Sequence, residues 1–320
     1  MDSTMSRAST AAPLRVPQLQ DMRALIAAGK RKQVMFAALG LFCTTIALLT
    51  LMAAFLDLLI DGLPRLSIDF LTNFPSRRAT EAGILSAWVG SALVMLVTMF
   101  AGVPLGIGAA VYLEEYAKKN WITDIIEINV TNLAGVPSIV YGLLALGLFV
   151  YQFGFGQSVL SAGLTLALLI LPIVIVATRE ALRAVPGHMR EAAYALGATR
   201  WQMISGHLLP YSAGGIMTGV IIGMARAIGE TAPIITIGAL TFIAFLPGSP
   251  ITSTPPFINF DWLFAEFTVL PIQMFNWVSR PDKAFQLNAA AAGVILLVMT
   301  LAMNACAIYI RYQVRKKIKW

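Results

Sequence analysis

The sequence predicts an all-α polytopic membrane protein with six transmembrane helices. Three observations carry that expectation. Hydrophobic residues make up 58% of the 320-residue chain and charged residues only 12%, against about 25% charged in a typical soluble domain. Several apolar runs reach roughly 20 residues, the length an α-helix needs to cross a bilayer. Lys and Arg flank those runs and do not interleave with aromatics, so the net charge of +7 reads as a topology signal and argues against a nucleic-acid surface.

Residues 1–33 are polar and basic, with Pro13, Pro17 and Lys30-Arg31-Lys32. No short apolar core with a small-residue cleavage site precedes them, so an N-terminal tail is expected and not a removable signal peptide. The first span is placed at Val34–Leu56 (domain 34–56), followed by a loop at 57–83 with four acids and three arginines. A core over 84–240 then holds spans two to five. The second, Ile84–Leu113, contains Pro104 and is expected to kink or tilt. The third and fourth are Ile128–Val150 and Val159–Ala177, and the fifth is Tyr211–Leu240. The loop at 241–287 carries Pro247, Pro250, Pro255 and Pro256, which resist regular helix, and Trp262 and Trp277, which suit a membrane interface or a partner contact. The last span, Ala289–Ile310, and a basic tail complete 288–320.

Orientation follows from Lys and Arg. Seventeen lie in the N-terminal tail, at Lys118 and Lys119, at Arg179, Arg183, Arg190 and Arg200, and in the C-terminal tail. Only five, Arg65, Arg77, Arg78, Arg280 and Lys283, lie in the intervening loops. The positive-inside rule therefore puts both termini in the cytoplasm.

Between the fourth and fifth spans lies a charged segment, 181–210, that cannot lie in lipid. Met189, Ala192, Ala193 and Leu196 recur at i, i+3, i+4 and i+7, one apolar face of a short helix that Gly197 can end with a left-handed C-cap. Arg200-Trp-Gln-Met-Ile204 forms a second short segment, and Pro210 marks the return to the membrane. The residues alone fit either a docking knob for a soluble partner or an interfacial helix on the lipid headgroups.

The fifth span carries Arg226 and Glu230. Charges at such depth cost about 2.5–3.5 kcal/mol each on insertion scales, so they face a helix or a water-lined path. At about 100° per residue, Gly215, Gly219, Gly223, Arg226, Glu230 and Pro233 share roughly one quarter of the helix circumference. The glycines are expected to let a neighbouring helix approach. The pair fits a structural ion pair, or an anion path in which the guanidinium meets a tetrahedral oxyanion and Glu230 balances it when the anion leaves.

Weaker signals are read as structure. Cys43 and Cys306 fall inside apolar runs as small buried hydrophobes without metal spacing. His188 and His207 are surface or interfacial, and Glu114-Glu115 with Lys118-Lys119 form a solvated turn. The sequon at Asn129-Val-Thr131 lies at or within a span and carries no meaning.

Glu191-Ala192-Ala193, Gly197 and Leu209-Pro210 resemble the EAA loop of ABC importer permeases: Glu-Ala-Ala, three residues, Gly, nine residues, a residue usually Ile, any residue, Leu-Pro. His207 departs from the usual Ile. Leu133 through Gly142, Arg179 through Pro186, and Gly219 through Pro233 extend the resemblance to the PstA-type permeases of high-affinity phosphate ABC importers. It is weak in the N-terminal tail and the proline-rich loop. The resemblance implies a MetI-like permease fold in the bacterial inner membrane. It implies a sister permease (PstC), an ATPase dimer (PstB) and a phosphate-binding protein (PstS) as partners, with Glu191, Ala192, Ala193 and Gly197 coupling to the ATPase. The chain has no Gly-x-x-x-x-Gly-Lys-Ser/Thr loop, so ATP and magnesium are expected on the partner and no cofactor or enzymatic activity on this chain. Open alternatives are a permease for sulfate, molybdate or another solute, the sister phosphate permease, an ion-coupled secondary transporter, or a membrane scaffold that senses phosphate without carrying it.

Overall fold

The computed structural model of the protein describes residues 19–249 and 259–317. The expectations for residues 1–18 of the tail and for Pro250, Pro255 and Pro256 lie outside them. Every regular element among the described residues is helical. Five helices are long and apolar enough to cross a membrane, and a bent pair makes a sixth span if it is one broken crossing.

The chain divides into two compact units, residues 1–57 and 58–320. The first holds most of α1 (Leu19–Gly62), one uninterrupted helix of 44 residues that extends the expected span at both ends. The second begins with the last turn of α1 and continues into a segment organised by Arg65. Its guanidinium donates to the carbonyls of Ala79, Thr80 and Ala82 at 2.9, 2.6 and 3.1 Å and to Asn288 Oδ1 at 2.7 Å. The same group stacks over Phe70 of α2 (Ile68–Thr72). One cation thus satisfies backbone carbonyls that a loop without secondary structure would leave unpaired.

The core is built from α3 (Leu85–Val111), α6 (Val159–Arg183) and α9 (Leu209–Gly229), with α6 packed between the other two. Lipid tails are as apolar as leucine, so close packing and interhelical hydrogen bonds, not apolar burial, hold such helices together. Small residues permit the approach: a Cβ on Gly106 of α3 would stand 2.7 Å from Val174 Cγ1 of α6. Thr98 adds a hydrogen bond to the Gly163 carbonyl at 3.1 Å. Around these contacts Val94, Leu166, Ile170, Val174, Val220 and Met224 form one buried cluster. Ser158 starts α6 by accepting from the Ser161 amide, and α6 runs six residues past the expected Ala177 end.

Two expected spans are broken, both at proline. In place of a single third span over Ile128–Val150 stand α4 (Trp121–Leu133) and α5 (Ser138–Ala145), the latter continued by a π-turn at Leu146–Gln152. The chain bends by 108° between the two arms. Pro137 caps α5 with an extended backbone and cannot donate to α4, and its ring disfavours helical geometry at Val136. The fifth span ends at Gly229, not Leu240. Glu230 is extended and α10 (Ala232–Ile237) restarts with Pro233 in its first turn, because a helix running through Pro233 would collide with the Gly229 carbonyl.

After α10, capped by a left-handed Gly238, the described residues 239–249 carry no helix, and the described chain beyond 259 opens with a 3₁₀ turn at Asp261–Phe264. α11 (Leu270–Val278) and α12 (Ala284–Lys317) follow. Trp262 and Trp277 correct the sequence reading. Both are buried: Trp262 joins the α3–α6–α9 cluster, and Trp277 packs between Phe70 and Phe285. The loop folds back on the helix ends, so its aromatics fill that layer. Cys43 and Cys306 are free and exposed instead of buried; on a spanning helix a small apolar thiol suits the outward face.

Candidate functional site

The charged segment forms a compact knob. α7 (Gly187–Ala195) ends in a Schellman motif: Gly197 is left-handed at φ +81°, its amide donates to the Tyr194 carbonyl, and the Ala198 amide donates to the Ala193 carbonyl. α8 (Arg200–Met203) opens with a capping box between Thr199 and Gln202. A π-turn at Ile204–Leu208 then joins α8 to α9. Pro210 explains that turn, since its ring cannot tolerate an ordinary helical carbonyl four residues back.

The apolar face is not the one the spacing predicts. Met189 and Ala193 turn inward onto Leu182, Val185, Met203 and Leu208. Ala192 is exposed and Leu196 is 89% exposed. α7 stops one residue before Leu196, and the Schellman turn swings that side chain outward. Glu191, Ala192, Tyr194, Leu196 and Trp201 therefore form an exposed surface of mixed polarity on a knob with its own core. His188 and His207 are exposed on the same segment.

Glu114 and Glu115 are not a solvated turn. They sit in a π-turn at Tyr112–Tyr116 that continues α3. Glu114 Oε2 binds Arg179 Nε at 3.4 Å and Arg183 Nε at 3.0 Å, and Arg179, only 7% exposed, also reaches Glu127 at 2.7 Å. Glu115, 9% exposed, binds Arg190 of α7 at 2.9 Å. Arg190 donates further to the carbonyls of Leu182 and Val185, both at 3.0 Å. Sequence reasoning missed this cluster. Its one local signal was Arg179 and Arg183 at i, i+4 on a single helix, while the carboxylates come from a distant part of the chain.

The glycine stripe of α9 faces α6. A Cβ on Gly215 would lie 2.6 Å from the Ala181 methyl, one on Gly219 would overlap the Ala177 methyl, and one on Gly223 would find ordinary contact with Ile170 at 3.4 Å. Arg226 Nε reaches Glu230 Oε1 at 3.1 Å, with side chains 38% and 20% exposed. Glu230 and Pro233 lie beyond the end of α9, so the one-quarter stripe holds only as far as Arg226. Glu230 borders a space of about 10 Å³ lined by Ser91, Met95 and Val269, room for about one water.

The chain belongs to the binding-protein-dependent transport system inner membrane components, the MetI-like ABC permease family, whose model matches residues 102–320. It is 34% identical over 259 residues to the phosphate transport system permease protein PstA of Xylella fastidiosa (strain Temecula1 / ATCC 700964), covering 80% of this chain and 85% of that protein. PstA of Yersinia pestis is 36% identical over 253 residues, covering 77% and 78%. The probable ABC transporter permease protein YqgI of Bacillus subtilis is 31% identical over 288 residues, covering 88% and 96%. Among solved structures, an inward-facing MetNI methionine ABC transporter superposes with a TM-score of 0.56 at 17% identity, over 72% of this chain and 95% of that one. That likeness establishes a shared fold.

Proposed function

We propose that this chain is a permease subunit of an ATP-driven inorganic phosphate importer in the bacterial inner membrane. PstC serves as sister permease, a PstB dimer hydrolyses ATP with magnesium, and PstS delivers phosphate. The observation that carries the substrate is Arg226: a partly exposed guanidinium on a spanning helix, held by one carboxylate, in a chain two of whose three relatives named above are phosphate transport system permeases.

The charge distribution supports a cytoplasmic location for both termini and for the knob. The knob's exposed face at Glu191, Ala192 and Leu196 then suits a groove on the ATPase, with Gly197 fixing its angle. The space beside Glu230 is too small for a phosphate, so the anion meets Arg226 on its open side, facing the path shared with the sister permease. A fork of N–H donors matches a tetrahedral oxyanion, and Glu230 recovers the guanidinium as the anion departs.

The test is uptake of labelled phosphate by the reconstituted complex, with Arg226→Gln as the variant. The complex assembles and uptake is lost, and excess sulfate or molybdate leaves wild-type uptake unchanged. Normal uptake by the variant removes the anion-path role, and competition by sulfate or molybdate removes the phosphate assignment.

A further inference from the structure

Four arginines converge on one five-residue π-turn. Arg179 and Arg183, near the end of α6, bind Glu114. Arg190 of α7 binds Glu115 through both Nε and Nη2, at 3.2 and 2.9 Å. Arg200 of α8 stands over the Tyr116 ring, 5.3 Å from its centroid. Tyr112–Tyr116 thus receives a side chain from each helix of the knob and two from the helix that leads into it.

The knob's link to α9 is of another kind. It runs through the π-turn Ile204–Leu208, where no ion pair is formed among the described residues and where a Cβ on Gly206 would meet nothing within 4 Å. Backbone joins this side, helical from Arg200 to Gly229, while Met203, Ile204 and Leu208 pack in one apolar cluster with Val111, Leu182 and Val185. π-turns inside helices recur at functional joints.

We propose that Tyr112–Tyr116 is the seat that carries knob motion into the transmembrane core, with Glu115 as its positioning residue. Displacement of α7 and α8 enters α3 through Glu115 and Tyr116 and enters α6 through Glu114. The assignment rests on the reading of the knob as the ATPase-coupling element and names the residues through which it acts.

The test uses the full reconstituted complex in a background carrying Cys43→Ala and Cys306→Ala, reading phosphate taken up per ATP hydrolysed. Glu115→Gln keeps basal ATP hydrolysis and lowers that ratio about tenfold, within the usual range of coupling between sites. Glu115→Cys with Arg190→Cys starts equally low and recovers when the two thiols are bridged by a flexible bismaleimide, because a covalent strut replaces the ion pair. A wild-type ratio for Glu115→Gln overturns the proposal. So does a bridge that fails to form, or one that forms and leaves uptake blocked. Gly197→Pro in the same assay separates the two levels: if it leaves the ratio unchanged, the coupling reading itself fails, whereas if it uncouples and Glu115→Gln does not, only the seat fails.

Discussion

Gly219→Ala puts one methyl group into the tightest point of the α6–α9 interface. Built on the existing backbone, that methyl overlaps the Ala177 methyl, well under the 3.0 Å that real Cβ atoms essentially never breach. Neither carbon has a rotamer to escape through, so the helices must separate by about 1 Å, enough to forfeit a quarter to a half of the dispersion energy of the neighbouring contacts. Overpacking of this kind costs about 1–3 kcal/mol. The same substitution at Gly214, where a Cβ meets nothing within 4 Å, only relieves the helix of a glycine and gains about 0.5–1 kcal/mol. The two variants should thus differ in sign along one helix, with a gap of about 1.5–4 kcal/mol. Removing the opposing methyl with Ala177→Gly should rescue part of the loss, since the next atoms, Ala177 Cα and the Ile173 carbonyl, lie at 3.7 and 3.9 Å. Denaturant unfolding in detergent, run as a double-mutant cycle, measures all of this. Equal stability of Gly219→Ala and Gly214→Ala, or additivity with Ala177→Gly, would refute the argument.

Two further outcomes follow from local geometry. Arg65→Gln strips the Thr80 and Ala82 carbonyls and Asn288 Oδ1 of their donor, the Ala79 carbonyl keeping Asn288 Nδ2 at 2.8 Å, and should lower stability by about 2 kcal/mol; an unchanged unfolding midpoint would show that water replaces the guanidinium at no cost. Gly197→Pro cannot adopt φ +81°, so the Schellman turn should open and hydrogen exchange across 192–198 should rise, with ATP hydrolysis no longer raised by substrate-loaded binding protein. Unaltered exchange and stimulation would mean that the turn is dispensable.

The sequence was most legible where one helix carries its own pattern. Gly215 and Gly219 are packed as their spacing predicts, the αL cap falls on Gly197, and Arg226 meets Glu230. It was least legible where distant segments decide. Trp262 and Trp277 read as interfacial because nothing local says that the loop folds back over the helix ends. Glu114 and Glu115 read as solvated because their arginines lie 65 or more positions away along the chain. Breaks at Pro137 and Pro233 were hidden by hydropathy, which stays high across a bend and registers composition and not backbone geometry. Gly223, counted with the stripe, has ordinary contact distances and is the most replaceable of the three.

The measurement closest to the central claim is phosphate uptake by vesicles holding this chain with its sister permease, ATPase and binding protein, with ATP hydrolysis followed in the same sample. The account predicts uptake that requires ATP, is lost in Arg226→Gln while hydrolysis continues, and becomes uncoupled from hydrolysis in Gly197→Pro. Phosphate uptake that proceeds without the ATPase, or that survives both substitutions, would contradict it.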